Sequence, residues 1–484
     1  MQITLDNIGI IKNSTLTLEG LTVITGKNNS GKTTVGKTLY SLIDATSNLQ
    51  RNARRDRNTY IRKQLRELEN VLNAFSYAPE PGVEADYLSR FHALDDLLSG
   101  AYNAKCPVPY PEDYAYELEK DLTAVDSERM AELYGTTEFV IRRDKETQKW
   151  VKHEVPISEK FDRQRAVALG ILSSLFEELK QDPHLTDYAR ERINQTLSLE
   201  FSGQIQPVKA PGVTSLVDLS DEESPYYHFT LQNNRIVKDG PVFFNAPFQR
   251  AYLIDDPYIL DDPKPARLYR MNAQEFEGLV NTSNISTHSQ KLLTKLRFRS
   301  GPNPFEQMLL DKSLEQIREQ IEQVISGSFE FSPDGNYYVE NGVKLRVSNL
   351  AAGSKLFSIL KILLEKGELD ASTLLILDEP ESHLHPQWQN TFAEVIVLLV
   401  KNLNMRVLLT THSSNFMLAL DAFMRKHGIN QRTNFYQTRS TGDGFVEYEC
   451  VNDDMGRIYQ DFLQYLSEVK QLRNLYMHGG GDGQ

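Results

Sequence analysis

The sequence lacks any apolar run near the roughly 18–20 residues that a membrane-spanning helix requires. Its longest candidates, such as Val395–Val400, have the length of a core segment. A secretory leader is also missing from the opening MQITLDNIGIIKNS, which has neither a basic nor an apolar leader region. Cysteine is scarce. Cys106 and Cys450 are the two in 484 residues, far apart and without zinc-ligand spacing, which fits a reducing, cytoplasmic setting. An excess of basic charge is absent as well: the formal net charge is −13, so the chain as a whole is not a basic nucleic-acid binder. Local patches can still meet phosphate. The rest of the composition is that of a globular chain long enough for several domains, with 40% hydrophobic and 25% charged residues.

Along the chain, Ile3 and Leu5, then Leu16 and Leu18, alternate with period two, as β-structure does. Leu21–Thr25 is a short apolar run ending at Gly26, and Thr33 to Ala45 reads as a helix with Val35, Leu39, Leu42 and Ile43 on one side. Residues 50–195 read as mainly helical and highly charged, with breaks at Pro79, Pro81 and Cys106–Tyr114. Strand character returns over 197–260, in HFTLQNNRIV and RAYLIDDPYIL. Ser313–Ile325 reads as a helix with a stop at Gly327, and FEFSPDGNYYVENGVKLRV as a meander with turns at Asp334-Gly335 and Asn341-Gly342.

The chemistry begins at residues 26–33, G-K-N-N-S-G-K-T, which match the GxxxxGK[ST] phosphate loop. Glycines let the backbone curl so that successive N–H groups face phosphate, and the following helix presents its positive end to the same anion. Lys32 is then placed for the β- and γ-phosphates of ATP, and the Thr33 hydroxyl for Mg²⁺. The strand before the loop and the helix after it are the context that the motif needs.

Far along the chain, Thr373–Leu377 is an apolar run of strand length that ends in Asp378-Glu379-Pro380. A carboxylate at a strand's C-terminal end can hold Mg²⁺ through water, and the next can deprotonate an attacking water. Alone, such a pair is as well explained by a solvated loop; the phosphate loop makes it a candidate site. Arg406–Thr411 reads as a second buried strand, ending at His412, which can hydrogen-bond a γ-phosphate. Phe392, Val395, Ile396 and Leu399 recur at helical spacing between the two strands. Strand–helix–strand predicts an α/β fold with a mixed, largely parallel sheet flanked by helices and with ligands at the strands' C-terminal ends.

Taken in this order, the phosphate loop, DEPESHLHP (378–386) and TTHSS (410–414) resemble the ABC ATPase superfamily in its soluble SMC/Rad50/RecF-like branch. DEPE-x-x-LHP in particular resembles the stand-alone ATPases of OLD and Septu (PtuA) type from prokaryotic defence systems. The resemblance covers 1–48 and 340–425, and topologically 197–260. It implies ATP and Mg²⁺ as cofactors, with Gly26, Lys27, Asn28, Asn29, Ser30, Gly31, Lys32, Thr33 and Thr34 as the phosphate loop. It further implies Thr33 and Asp378 as metal ligands, Glu379 as general base, His412 as the switch histidine and Ser382–His385 as the D-loop. His383 and His385 with Glu381 could suggest a metal cluster, but the D-loop accounts for that segment. The signature element falls at Asn349–Lys355, NLAAGSK, with Gly353 and Ser354 as γ-phosphate ligands for the opposite subunit. Where the family usually has a serine, Ala351 stands here; Ser354 and Ser348 are the hydroxyls available to substitute. Gln249, before AYLID, is the candidate Q-loop glutamine.

On this resemblance the chain divides into an ATPase lobe at 1–48, a helical insertion at 49–196, a β-rich continuation at 197–262, a second insertion at 263–340 and a final lobe at 341–484. ATP held between one chain's phosphate loop and the other's signature helix implies a homodimer or higher assembly. The segment is not LSGGQ and the insertion is very large, which argues against a transporter ATPase. No heptad run reaches the length of a Rad50 or SMC arm.

Arg51, Arg54, Arg55 and Arg57, with Arg62, Lys63 and Arg66, form the densest basic run and could contact DNA or RNA. A solvated helix face balanced by Asp56, Glu67 and Glu69 is the competing and favoured explanation. Lys291, Lys295, Arg297 and Arg299 around Phe298 are a weaker candidate. Arg473-Asn474-x-x-x-His478 resembles the RNxxxH motif of HEPN ribonucleases, although the chain after the last core strand is too short for a full bundle of that kind. No Toprim-like or HNH-type cluster is found, so a separate nuclease subunit is expected wherever nucleic acid is cut. The leading expectation is an ATPase subunit of an antiphage defence complex, with a RecF-like repair ATPase and a HEPN-like toxin as alternatives.

Overall fold

The structure, a computed structural model, describes residues 1–73, 137–143, 150–180, 184–222, 224–237, 243–244, 247–261, 287–297, 314–332, 335–459, 467–471 and 473. The chain forms two compact units, one of Met1–Asn48 with Ala189–Gln484 and one of Leu49–Tyr188.

The larger unit opens with β1 (Gln2–Asp6), β2 (Ser14–Thr17), β3 (Leu21–Thr25) and α1 (Lys32–Thr46). The smaller unit follows with α2 (Leu49–Asn73), β4 (Thr137–Arg143), β5 (Trp150–Pro156) and α3 (Ile157–Lys180). In α2, Ile61, Leu65 and Leu68 are buried at the spacing of one helical face, as are Ala168 and Leu172 in α3. The stretch 50–195 is not helical throughout: β4 and β5 pair antiparallel, Thr137 opposite Pro156. TEFVIRR and WVKHEVP are rich in β-branched and aromatic residues, which favour a pleated strand.

After α4 (Leu185–Glu200), the larger unit resumes with β6 (Ser215–Ser220), β7 (Pro225–Gln232), β8 (Arg235–Ile236), β9 (Phe243–Phe244) and β10 (Arg250–Ile254). Then come α5 (Thr287–Arg297), β11 (Ser328–Ser332), β12 (Gly335–Glu340), β13 (Val343–Arg346), α6 (Ala352–Glu365) and β14 (Thr373–Asp378). The chain continues through α7 (Pro386–Leu403), β15 (Arg406–Thr411), α8 (Ser414–His427), β16 (Thr433–Ser440) and β17 (Val446–Cys450).

The central sheet runs β10-β14-β15-β3-β16-β17. Every neighbouring pair in it is parallel except β16 with β17. It is the mixed, largely parallel α/β sheet expected from the sequence. A second, antiparallel sheet has the order β2-β1-β6-β7-β8, with β9 on β7.

The central strands read as continuous apolar runs because both faces are covered. Successive side chains point to opposite faces. Leu375 and Leu377 of β14 join a core with α6, α7 and α8, whereas Leu374 and Ile376 join one with α1 and the antiparallel sheet. Each such fully buried aliphatic side chain is worth about 1.5–3 kcal/mol. The helix α1 lies close on the sheet: a Cβ at Gly36 would come 2.9 Å from Ile376 Cγ2.

Candidate functional site

The parallel register decides which residues meet. Asp378 of β14 stands opposite Thr410 of β15, and Thr411 of β15 stands opposite Thr25 of β3. The three strands therefore end on one edge, where residues 26–31, 379 and 412 leave the sheet together.

The loop after β3 uses left-handed backbone at Asn29 (φ 60°) and Gly31 (φ 76°). Gly26 needs the absence of a side chain for another reason: a Cβ there would lie 1.8 Å from Thr438 Oγ1 on β16. Ser30 is buried and donates to the Lys27 carbonyl at 2.7 Å, which tightens the loop. Lys27, Asn28 and Asn29 are exposed at its crest. The Thr34 N–H donates to the Gly31 carbonyl at 3.0 Å as α1 begins.

The Lys32 side chain is only 4% exposed. Its ammonium donates to the Gly26 and Lys27 carbonyls at 3.1 and 2.8 Å and pairs with Glu379 Oε1 at 3.3 Å. A cation buried this far requires such partners. Glu379 is held in the left-handed region (φ 47°), rare for a residue with a side chain. Its N–H donates to the Thr410 carbonyl at 3.1 Å, so the turn is pinned where the strand ends. Glu379 Oε2 in turn lies 3.2 Å from His412 Nδ1.

Thr33 Oγ1 donates to Asp378 Oδ2 at 2.6 Å, and Thr410 Oγ1 donates to Oδ1 at 2.6 Å. Burial raises the Asp378 pKa above the usual carboxylate value, against these hydrogen bonds and with the nearby charge of Glu379 adding to the rise. A buried carboxylate of raised proton affinity beside a hydroxyl is a hard oxygen pair that a divalent cation would relieve, so the donor set fits Mg²⁺.

Thus Lys32, Thr33, Asp378, Glu379 and His412 converge, whereas Gly353 and Ser354 lie elsewhere. They occupy the first turn of α6, where a Cβ on Gly353 would come 3.0 Å from Trp388 Cε3 and 3.1 Å from Leu384 Cδ2. Ala351 is the N-cap and supplies no side-chain bond.

Gln249, the candidate Q-loop glutamine, lies apart from these residues. It precedes β10, and its N–H donates to the Ser372 carbonyl at 2.9 Å, at the end where the parallel strands start. With a rise of about 3.3 Å per residue, that places it roughly 20 Å from the Asp378 edge. The residue leaving β10 on the site's side is Asp255, since Ile254 is paired with Leu377.

The basic run of α2 does not form one free face. Arg51 and Arg54 are exposed, but Arg55 pairs with Asp56 at 3.3 Å. On α5, Lys291 pairs with Asp44, and Lys295 pairs with Glu368 at 3.1 Å; Phe298 and Arg299 lie outside the described residues. Arg473 is exposed, and its partner in the motif, His478, also lies outside the described residues. His383 stands edge-on to Tyr258, and His385 Nδ1 accepts from the Gln387 N–H at 3.3 Å.

Residues 280–419 match the family model described as "AAA domain, putative AbiEii toxin, Type IV TA system". That stretch holds Asp378, Glu379 and His412, and the phosphate loop lies outside it. No curated protein matches the sequence. Among solved structures, the SMC head domain from Thermotoga maritima is similar at 9% identity and a TM-score of 0.33, covering 93% of this chain and 98% of that one. The SmcHead bound to the C-winged helix domain of ScpA shows 11% identity and a TM-score of 0.34, covering 93% and 96%. No helix among the described residues is long and apolar enough to cross a membrane.

Several residues of this site escape sequence reasoning. Thr410 holds both the side chain of Asp378 and the main chain of Glu379. Tyr448 of β17 is buried under the phosphate loop, with its hydroxyl 3.5 Å from the Ser30 carbonyl. Asp255 meets His288 Nε2 at 3.1 Å, while Glu200 accepts from His288 Nδ1 at 2.6 Å. The one available signal was Asp255, an acidic residue directly after an apolar strand.

Proposed function

We propose that the chain binds Mg·ATP and hydrolyses it at a site completed by a second copy, and that the cycle governs a separate nuclease in a nucleic-acid-directed defence complex. The observation that carries the ATPase reading is the convergence of Lys32, Glu379 and His412 beside the Thr33–Asp378 pair.

In this reading Lys32 leaves the loop carbonyls for the β- and γ-phosphates, and the loop's N–H groups complete the cradle. Thr33 and Asp378 would hold Mg²⁺, which supplies charge neutralisation at the phosphate oxygens. Once Lys32 turns to phosphate, Glu379 is free to accept a proton from water as the water oxygen bonds to the γ-phosphorus and ADP departs. His412, already beside Glu379, donates to a γ-phosphate oxygen. The first turn of α6, with Gly353, Ser354 and its unpaired N–H groups, caps the partner's phosphate.

Support for the defence setting comes from DEPE-x-x-LHP and from the toxin–antitoxin wording of the matched family. Arg51 and Arg54 are the exposed residues proposed to meet DNA or RNA, with Arg55 and Arg57 behind them. The test is turnover by the purified chain with Mg·ATP and labelled DNA, tRNA and mRNA. ATP turnover without nucleic-acid cleavage supports a separate effector. RNA cleavage that disappears in Arg473→Ala would instead make the chain a ribonuclease under ATPase control.

A further inference from the structure

Strand β15 ends at Thr411, whose neighbour Thr25 is the last residue of β3. On the other side of β15 the Glu379 N–H donates to the Thr410 carbonyl and the chain of β14 then turns away, so the His412 N–H, which faces that side, has no ladder partner and must find another acceptor. That acceptor is Glu381 Oε1, 3.1 Å from the His412 nitrogen, which also receives the Thr411 hydroxyl at 2.6 Å. Glu381 is 3% exposed, and its Oε2 is buried without a hydrogen-bond partner among the described residues. A carboxylate placed so expensively has a task, since a buried polar atom left unmatched costs about 1–3 kcal/mol.

The geometry shows what that task is. The His412 ring stands between two carboxylates, with Nδ1 3.2 Å from Glu379 Oε2 and 3.8 Å from Glu381 Oε1. A second tie runs beside the first. Gln389 donates to the Leu384 carbonyl at 3.2 Å and accepts from Asn415 at 3.0 Å. The segment after Glu379 and the segment following His412 are thereby joined through the Gln389 side chain.

Resting on the ATPase reading above, we propose that Glu381 is a positioning residue. It fixes His412 relative to Glu379 by accepting the His412 main-chain N–H and the Thr411 hydroxyl. It touches neither phosphate nor water, and acts by holding the imidazole at the distance from which it meets the γ-phosphate.

The experiment is steady-state ATP turnover by wild type, Glu381→Ala, Glu381→Gln, His412→Ala and the double variant Glu381→Ala/His412→Ala. Loss of the tie in Glu381→Ala lowers kcat on the order of tenfold to a hundredfold, as misplacement of a catalytic group does. KM for ATP stays within about threefold, because binding is untouched. Glu381→Gln, whose carbonyl oxygen still accepts both bonds, recovers most of the rate. In the His412→Ala background the second substitution adds nothing, since coupled residues are not additive. If Glu381→Ala does not fold, Glu381→Asp retracts the same acceptor by one methylene and carries the same expectation. Wild-type kcat in the Ala and Asp variants, a Gln variant no better than Ala, or full additivity with His412→Ala overturns the proposal while leaving the ATPase reading standing. A wild-type chain that fails to turn over ATP overturns that reading itself.

Discussion

Glu379 Oε1 lies 3.3 Å from the buried Lys32 Nζ, although the two residues are far apart in the sequence. The same carboxylate reaches His412 through its other oxygen at 3.2 Å. The cation proposed to bind phosphate and the proposed base therefore hold each other.

Removing the cation tests the first half of that relationship. Lys32→Ala is expected to weaken ATP binding by at least about a hundredfold, the loss of a buried charge-assisted contact. Titration with a fluorescent ATP analogue checks it, and binding that stays within about threefold would set the phosphate-loop assignment aside.

Glu379→Gln tests the other half. Binding persists while turnover falls by about 10²–10⁴, the usual worth of a general base. With ATP present, the variant accumulates as a dimer on size-exclusion chromatography with light scattering. Normal hydrolysis by Glu379→Gln would show that another group activates the water.

A third prediction concerns shape alone. Because a Cβ at Gly26 would lie 1.8 Å from Thr438 Oγ1, Gly26→Ala forces the loop off β16 and loses ATP affinity. Thr438→Gly in the same chain removes the obstructing side chain and should restore much of that affinity, read in the same binding titration.

The fourth concerns pH. Burial pulls the His288 pKa down, but hydrogen bonds to Asp255 and Glu200 outweigh it and raise the pKa to about 9 from its ordinary 6.5. The folded state thus holds a proton that the unfolded chain has released. The associated stability, on the order of 3 kcal/mol, is fully present below about pH 6.5 and is lost as pH rises through about 9. Thermal unfolding of wild type and His288→Gln across that window checks it: the difference between their midpoints should shrink as pH rises. A difference independent of pH would mean that His288 is not charged in the fold.

The sequence by itself determined the chemistry that is local in the chain. A phosphate loop is one uninterrupted stretch whose glycines and lysine act through their own backbone, so residues 26–33 are legible without a fold. Apolar runs covered on both faces made β14 and β15 legible, and with them the edge at which Asp378 and His412 lie. Tertiary structure decided what depends on register. Gln249 and Asp255 bracket one strand, and only the pairing of Ile254 with Leu377 shows which end faces the site. Thr410, Glu381 and Tyr448 matter through contacts across strands, which no spacing along the chain encodes. The hairpin of β4 and β5 belongs to the same class, because strand pairing is completed by a partner outside the segment, whereas a helix satisfies its own hydrogen bonds.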